Sequence, residues 1–196
     1  GASKGAAIGC TGDNLPGVLT GVDFLRDVNL GKEVSVGKAV AVIGGGNVAI
    51  DVARTAVRLG AEDVSIIYRR GRDEMPADAE EVAEAEAEGV KFRFLSAPVE
   101  ILGEGKAEQL KVELMELGEA DAKGRRKPVG TGKFETIPVD CVISAIGQKI
   151  DLSGIANFRL NPDGTVAVAD ISYQTSIPDV FAGGDVVTGP KFAIDA

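Results

Sequence analysis

The sequence predicts an α/β fold, a parallel sheet flanked by helices with a small antiparallel β-meander attached, and three observations carry that prediction. Ala39-Val40-Ala41-Val42-Ile43 is a continuous apolar run, as expected of a strand buried on both faces. A triple glycine, a helical stripe and a second apolar strand follow it in that order. Beyond Leu95 the texture changes to alternating runs separated by polar loops, the pattern of antiparallel strands.

The 196 residues suffice for one well-buried domain, or for one domain with parts of a second. Hydrophobic residues at 44% and charged residues at 26% are ordinary for a soluble globular protein. The 26 glycines are about twice the usual share, so tight turns and close approaches are expected. A net charge of −9 counts against a nucleic-acid surface, which needs clustered Lys and Arg. No apolar run approaches the roughly 20 residues of a membrane span; the longest candidate, Ala39 to Ile50, is interrupted by three glycines. The chain starts at Gly1 with nothing like a signal peptide, and is expected to be a piece trimmed from a longer protein. Cys10 and Cys141 form neither a CxxC pair nor a metal or cluster set, which suits a reducing cytoplasm. With no His in the chain, histidine acid–base catalysis and histidine metal sites are excluded within it.

Each element has its own signal. Gly12 to Gly17 reads as turn chemistry, and Val22, Leu25 and Val28 suggest a short helix over Gly21 to Leu30. Ala39 to Ile43 is the first sheet strand. Val48, Val52, Ala56 and Leu59 then make a helical stripe from Asn47 to Leu59, stopped by Gly60. Val64 to Tyr68 is the second strand, completing a βαβ unit of about thirty residues. A helix over Pro76 to Glu88, with Pro76 in its first turn, and a strand over Val90 to Leu95 come next. The helix's glutamates read as a solvated face. Val99 to Leu102, Gln109 to Leu117 and Phe134 to Ile137 are the expected meander, connected by a polar, basic loop over Gly118 to Gly132. Val139 to Ile146 is another apolar strand. Asn161-Pro162-Asp163-Gly164 signals a hairpin, and Val180 to Ala182 a last strand.

The chemistry lies between the first strand and its helix. Gly44-x-Gly46-x-x-Ala49, with Gly45, Asn47 and Val48 inside it, has the spacing of a Rossmann-type dinucleotide turn. Gly44 permits the tight turn, Gly46 removes the Cβ that blocks a pyrophosphate, and Ala49 lets the helix close on the strand. The helix N-terminus supplies N–H groups and partial positive charge. The end of the second strand chooses the nucleotide. NAD sites place Asp or Glu there for the ribose 2′-hydroxyl; this chain has Tyr68-Arg69-Arg70, with Arg72 close behind. Guanidinium groups pair with a 2′-phosphate, so NADPH is the expected ligand.

These motifs, with Leu15-Pro16-Gly17-Val18, Asp51, Met75-Pro76-Ala77, Ala145-Ile146-Gly147-Gln148 and Phe181-Ala182-Gly183-Gly184-Asp185, resemble the glutamate synthase small (beta) subunit family. Its relatives include the corresponding part of dihydropyrimidine dehydrogenase and, more distantly, thioredoxin reductases. The resemblance spans almost the whole chain and implies a cytoplasmic flavoprotein of the FAD/NAD(P)-binding-domain type, with the NADPH domain inserted into the FAD domain. It implies an NADPH domain at 38–149, an N-terminal flank from the FAD domain at 1–37, and a return to the FAD domain at 150–196. It implies too that Ala145, Ile146 and Gly147 run beside NADPH, that Gly184 and Asp185 contact FAD, and that Asp51 lies near the nicotinamide. The family's first FAD-binding glycine motif, its iron–sulfur cysteines and the CxxC of thioredoxin reductases are absent from this sequence. The chain alone is therefore expected neither to hold FAD tightly nor to turn over, and to need the rest of the FAD domain and an iron–sulfur or large-subunit partner. The implied reaction passes hydride from NADPH to FAD, with the cofactors carrying the chemistry and no catalytic side chain required. A non-catalytic NAD(P)-binding sensor or scaffold is the alternative.

Overall fold

The computed structural model describes residues 1–120, 126–154, 157–191 and 194. In chain order its elements are β1 (Lys4–Gly5), β2 (Val18–Thr20), α1 (Gly21–Asn29), β3 (Ala39–Ile43), α2 (Asn47–Arg58), β4 (Asp63–Ile67), α3 (Ala79–Ala87), β5 (Lys91–Arg93), β6 (Ser96–Leu102), β7 (Gln109–Ala120), β8 (Arg126–Pro138), β9 (Cys141–Ser144), β10 (Gln148–Lys149) and α4 (Asp185–Thr188). A short 3-10 turn lies at Arg72–Glu74. The chain divides into two compact units, Ala6–Ile146 and Gly1–Gly5 with Gly147–Ala196.

The larger unit has three layers. A parallel sheet in the order β2-β9-β3-β4-β5 forms the middle. From β3 the chain winds outward through α2, β4, α3 and β5. It then forms the antiparallel sheet β6-β7-β8 and returns to β9 on the other side of β3. The direction of winding reverses between β3 and β9, and such a switch point opens a crevice at the strands' carboxyl ends.

The apolar run of β3 follows from this layering. Val40 and Val42 pack with Phe24, Ile50, Val52 and Ile66 on the helical side. Ala41 and Ile43 pack with Ile101, Leu110 and Val112 on the side of the antiparallel sheet. A strand covered on both faces needs apolar residues at every position. Ala49, Ala53 and Ala56 are fully buried on α2, and their small side chains let the helix close on the sheet. Each fully buried Ile, such as Ile50 or Ile66, contributes about 1.5–3 kcal/mol. α1 starts at Thr20, whose hydroxyl accepts from Asp23 N at 3.3 Å, and α2 stops before Gly60 at φ +95°.

Several expectations meet a different structure. α3 begins at Ala79, because the Asp78 carboxylate accepts from Glu80 N at 2.9 Å and caps the helix there; Pro76 stays outside it. β5 ends at Arg93, and Leu95 adopts a left-handed conformation at φ +52°. The loop expected over Gly118 to Gly132 is largely strand, since β7 runs to Ala120 and β8 starts at Arg126. Exposed polar residues dominate β8, so backbone pairing with β7 makes it a strand without any apolar alternation. Residues 121–125 of that expected loop lie outside the described ones. Val18–Thr20 is a sheet strand with no sequence signal of its own, and it pairs in parallel with β9. Through that pairing the stretch from Ala6 to Gly37 packs within the larger unit.

In the smaller unit, β1 pairs with β10 antiparallel, an arrangement sequence reasoning missed. Asn161–Gly164 forms a turn closed by Gly164 N donating to Asn161 O at 3.0 Å, beside a single bridge from Leu160 to Val166. Phe181 makes one bridge, to Gln174, in place of the strand expected over Val180 to Ala182. Among the described residues no helix is long and apolar enough to cross a membrane.

Candidate functional site

The three glycines after β3 meet different surroundings. Gly44 sits at φ +151°, and a Cβ there would lie 2.5 Å from the carbonyl oxygen of Ala145. On Gly45 a Cβ would fall 2.5 Å from two ring carbons of Tyr68. Gly46 has an unstrained φ of −97°, and the nearest atom to its missing Cβ is Pro76 Cγ at 3.9 Å. The chain's own packing therefore requires the first two glycines and leaves the third unexplained.

Gly46 is also the N-cap of α2, with no side-chain cap and no acidic residue in the first turn. Its carbonyl accepts from Ala49 N at 2.9 Å and Ile50 N at 3.3 Å. The N–H groups ahead of Ala49 have no partner within the helix, and the partial positive charge of this first turn is not offset by a carboxylate. Ala49 is buried, Val48 half-buried, and Asn47 and Asp51 are exposed one turn apart on the same face. Asn47 Oδ1 accepts from Asp78 N at 2.9 Å, and Ala77 N donates to Gly45 O at 3.1 Å. The glycine turn is thereby laced to the segment entering α3.

Tyr68 follows β4, and its hydroxyl donates to Glu74 O at 2.7 Å. Arg69 is exposed. Arg70 is half-buried, and its Nε is buried without a hydrogen-bond partner among the described residues. Arg72, by contrast, is engaged within the chain: it pairs with Glu86 and lies over the Phe92 and Phe94 rings at 5.9 and 5.7 Å.

Ala145 N donates to Ile43 O at 2.7 Å, which brings the end of β9 alongside Gly44 at the switch point. Ile146 is exposed. The fold thus gathers Gly44, Gly45, Gly46, Asn47, Val48, Ala49, Arg69, Arg70, Ala145 and Ile146 around the carboxyl ends of β3, β4 and β9. Gly147, Gly184 and Asp185 belong to the smaller unit. There Gly147 is exposed at φ +133°, Gly184 at φ +64° is the N-cap of α4, and Asp185 Oδ1 accepts from Lys191 N at 3.4 Å.

Other chemistry is limited. Burial pushes the Cys141 thiol up to about 12, with the Asp140 charge adding to it, and burial also raises Cys10. Neither is a ready thiolate. Among the described residues no His/Cys/Asp/Glu group could hold a metal. A cavity of about 470 Å³, lined by Gly37, Lys38, Lys106 and Asp140, opens at the amino end of the sheet. Asp140 Oδ2 there accepts from Lys38 N at 2.8 Å and Ala39 N at 2.9 Å, and those bonds hold its carboxyl below the usual carboxylate range. Asp140 pins the start of β3, at the end of the sheet opposite the glycine turn.

The partners of the arginine loop carry no signal in the sequence. Glu74 receives Arg126 from β8, 52 residues away, and Leu95 N donates to Arg70 O at 3.0 Å. No local pattern marks pairs so distant in sequence.

The parallel sheet, its switch point and the glycine turn make the larger unit a domain of the Rossmann type. The chain belongs to the pyridine nucleotide-disulphide oxidoreductase family, whose model matches residues 1–196. It is 48% identical to the NADP(+)-dependent formate dehydrogenase subunit beta of Moorella thermoacetica, over 92% of this chain and 26% of that protein. It is 39% identical to the NADPH glutamate synthase small chain of Halomonas elongata, over 96% of this chain and 43% of the relative. The chain thus spans less than half the length of these curated relatives. Among solved structures, FprA of Mycobacterium tuberculosis in complex with NADPH superposes with a TM-score of 0.79. The two are 23% identical, and the match covers 99% of this chain and 58% of that one, a likeness of fold.

Proposed function

We propose that the chain is the NADPH-binding part of a flavin-dependent oxidoreductase, passing hydride from NADPH to FAD within a longer protein. Gly46 carries the reading. Among the described residues outside its own turn, no atom lies closer to its missing Cβ than Pro76 Cγ at 3.9 Å, so a molecule bound at the start of α2 is what the glycine admits. The uncapped first turn of α2 directs N–H groups at a pyrophosphate there. The Nε of Arg70 has no hydrogen-bond partner among the described residues, and Arg69 beside it is exposed, so both guanidinium groups are available to an anion. Both suit a 2′-phosphate, which favours NADPH over NADH. The names of the relatives, an NADP(+)-dependent formate dehydrogenase subunit and an NADPH glutamate synthase small chain, agree with that choice.

In this reading the bound nicotinamide supplies the hydride and the flavin accepts it. The protein's part is placement. Gly44, Gly45, Gly46, Asn47 and Val48 fix the pyrophosphate, and Ala49 sets how closely α2 approaches it. Ala145, Ile146 and Gly147 line the nucleotide's path from the switch point, and Asp51 faces the nicotinamide end. Gly184 and Asp185 contact FAD, residues 38–149 serve the nucleotide, and 1–37 and 150–196 belong with the flavin. Electrons leave through an iron–sulfur or large-subunit partner.

The full-length protein tests this under anaerobic conditions. It should be yellow, and NADPH should bleach its flavin band much faster than NADH does. A colourless protein that binds NADPH would instead be a nucleotide sensor or scaffold.

A further inference from the structure

The loop that carries Arg69 and Arg70 is held by the antiparallel sheet along two routes. The backbone route runs through Leu95, whose N–H donates to Arg70 O at 3.0 Å while its carbonyl accepts from Met115 N of β7 at 2.8 Å. Leu95 keeps φ +52°, a conformation L side chains rarely adopt, so this joint is maintained against strain. The side-chain route starts at Arg126, the first residue of β8. Its Nε and Nη2 both donate to Glu74 Oε1, at 2.9 and 2.7 Å. The Glu74 carbonyl holds the Tyr68 hydroxyl at 2.7 Å, and the Tyr68 ring occupies the space beside Gly45.

Glu74 is an odd residue to keep there. Its side chain is only 12% exposed, one carboxylate oxygen is buried without a partner, and it lies four residues from Arg70, whose Nε is buried and unpartnered as well. By its field alone, a carboxylate in this loop opposes binding of a phosphate to Arg69 and Arg70. A pair with one partner half exposed adds little stability in general. What the pair does accomplish is geometric: it fixes the loop to a sheet that is itself fixed to the core through Ile101, Leu110 and Val112.

We propose that the antiparallel sheet is the support for 2′-phosphate selectivity, with Glu74 and Arg126 as positioning residues that hold Arg70 in its binding pose. The proposal rests on the NADPH reading above. Arg70 would meet the phosphate, and Glu74 and Arg126 would act only through it.

Glu74→Gln separates positioning from field, because the two act with opposite sign. Affinities of the full chain for NADP⁺, NAD⁺ and adenosine 2′,5′-bisphosphate would be measured by calorimetry, with a thermal melt as the folding control. Glu74→Gln should weaken NADP⁺ and the bisphosphate by about tenfold and leave NAD⁺ within about twofold. A Glu74→Gln chain that is folded and binds NADP⁺ as tightly or more tightly overturns the proposal. So does an equal loss for both dinucleotides, which would mean simple collapse of the glycine turn. Arg126→Lys keeps the charge and loses the two-pronged grip, and it serves if Glu74→Gln fails to fold. Several-fold weaker NADP⁺ binding with NAD⁺ unchanged supports positioning, and unchanged NADP⁺ binding overturns it. An unaltered chain with no preference for NADP⁺ over NAD⁺ fails the underlying reading instead, and this inference falls with it.

Discussion

Ala145 stands directly against Gly44, its carbonyl oxygen 2.5 Å from where a Cβ on the glycine would lie. The contact joins the ends of β9 and β3, two strands separated by the whole of the outward winding and the antiparallel sheet, at the point where the winding reverses. Backbone fills the space, and φ +151° disfavours an L residue there as well. Gly44→Ala should therefore destabilise the fold by about 2 kcal/mol or more, read as a lowered urea midpoint. A midpoint unchanged from the parent would show that the two strand ends can part freely.

Gly46 should behave in the opposite way. With an ordinary φ and no close neighbour, Gly46→Ala should change stability by no more than about 1 kcal/mol. Nucleotide affinity should nevertheless fall by at least about tenfold, for NADP⁺ and NAD⁺ alike, because the Cβ meets the pyrophosphate common to both. Titration calorimetry beside a urea melt separates the two effects, and retention of full affinity would remove the main support for the site.

Arg69→Ala with Arg70→Ala is expected to discriminate between nucleotides. Losing two charge-assisted contacts to a 2′-phosphate should weaken NADPH by about 100-fold and leave NADH within about threefold. Arg72→Ala should matter less to either nucleotide, since that guanidinium is already occupied by Glu86 and the Phe92 and Phe94 rings. Equal losses for NADPH and NADH from the double variant would refute the assignment.

Cys141 predicts a pH effect. The thiol is 2% exposed and its pKa is raised from 9.0 to about 12, chiefly by burial and then by Asp140. Between those values the folded chain keeps a proton that the unfolded chain releases, so stability falls as pH rises. Its contribution is fully present below pH 9 and is lost progressively up to about 12, with a slope of at most about 1.4 kcal/mol per pH unit. Cys141→Ala should be less sensitive to alkali than the parent across that window. In the parent, alkylation of Cys141 at neutral pH should require unfolding; labelling as fast as a free thiol would mean that β9 opens readily.

Much of the fold was legible because its signals are local. Ala39 to Ile43 is apolar at every position since both faces are covered, and Gly60 marks the end of α2 where expected. The glycine turn was legible for the same reason: spacing along a few residues encodes a strand, a tight bend and a helix start. Signals failed where distant partners decide the outcome. β2 has three residues and exists by pairing with β9, more than a hundred positions later. The first half of β8, expected as loop, exposes most of its side chains and takes its strand character from β7, whereas the expected strand at Phe134 to Ile137 is the second half of β8. Asp78 displaced Pro76 at the start of α3 because a carboxylate that caps the first turn outweighs a fixed φ.

The sequence by itself determined the Rossmann turn, the identity of its flanking strand and helix, and the pair of arginines at the end of the second strand, since each is written within some thirty consecutive residues. Tertiary structure alone decided that Gly44 and Gly45 answer to Ala145 and Tyr68 while a Cβ on Gly46 would meet only Pro76, at 3.9 Å, among the described residues. It alone paired Glu74 with Arg126 and set Leu95 in a strained joint beneath Arg70. The physical reason is the same in each case. A local motif states which backbone can form, whereas only the packing of distant segments shows which positions the chain fills for itself and which it leaves open.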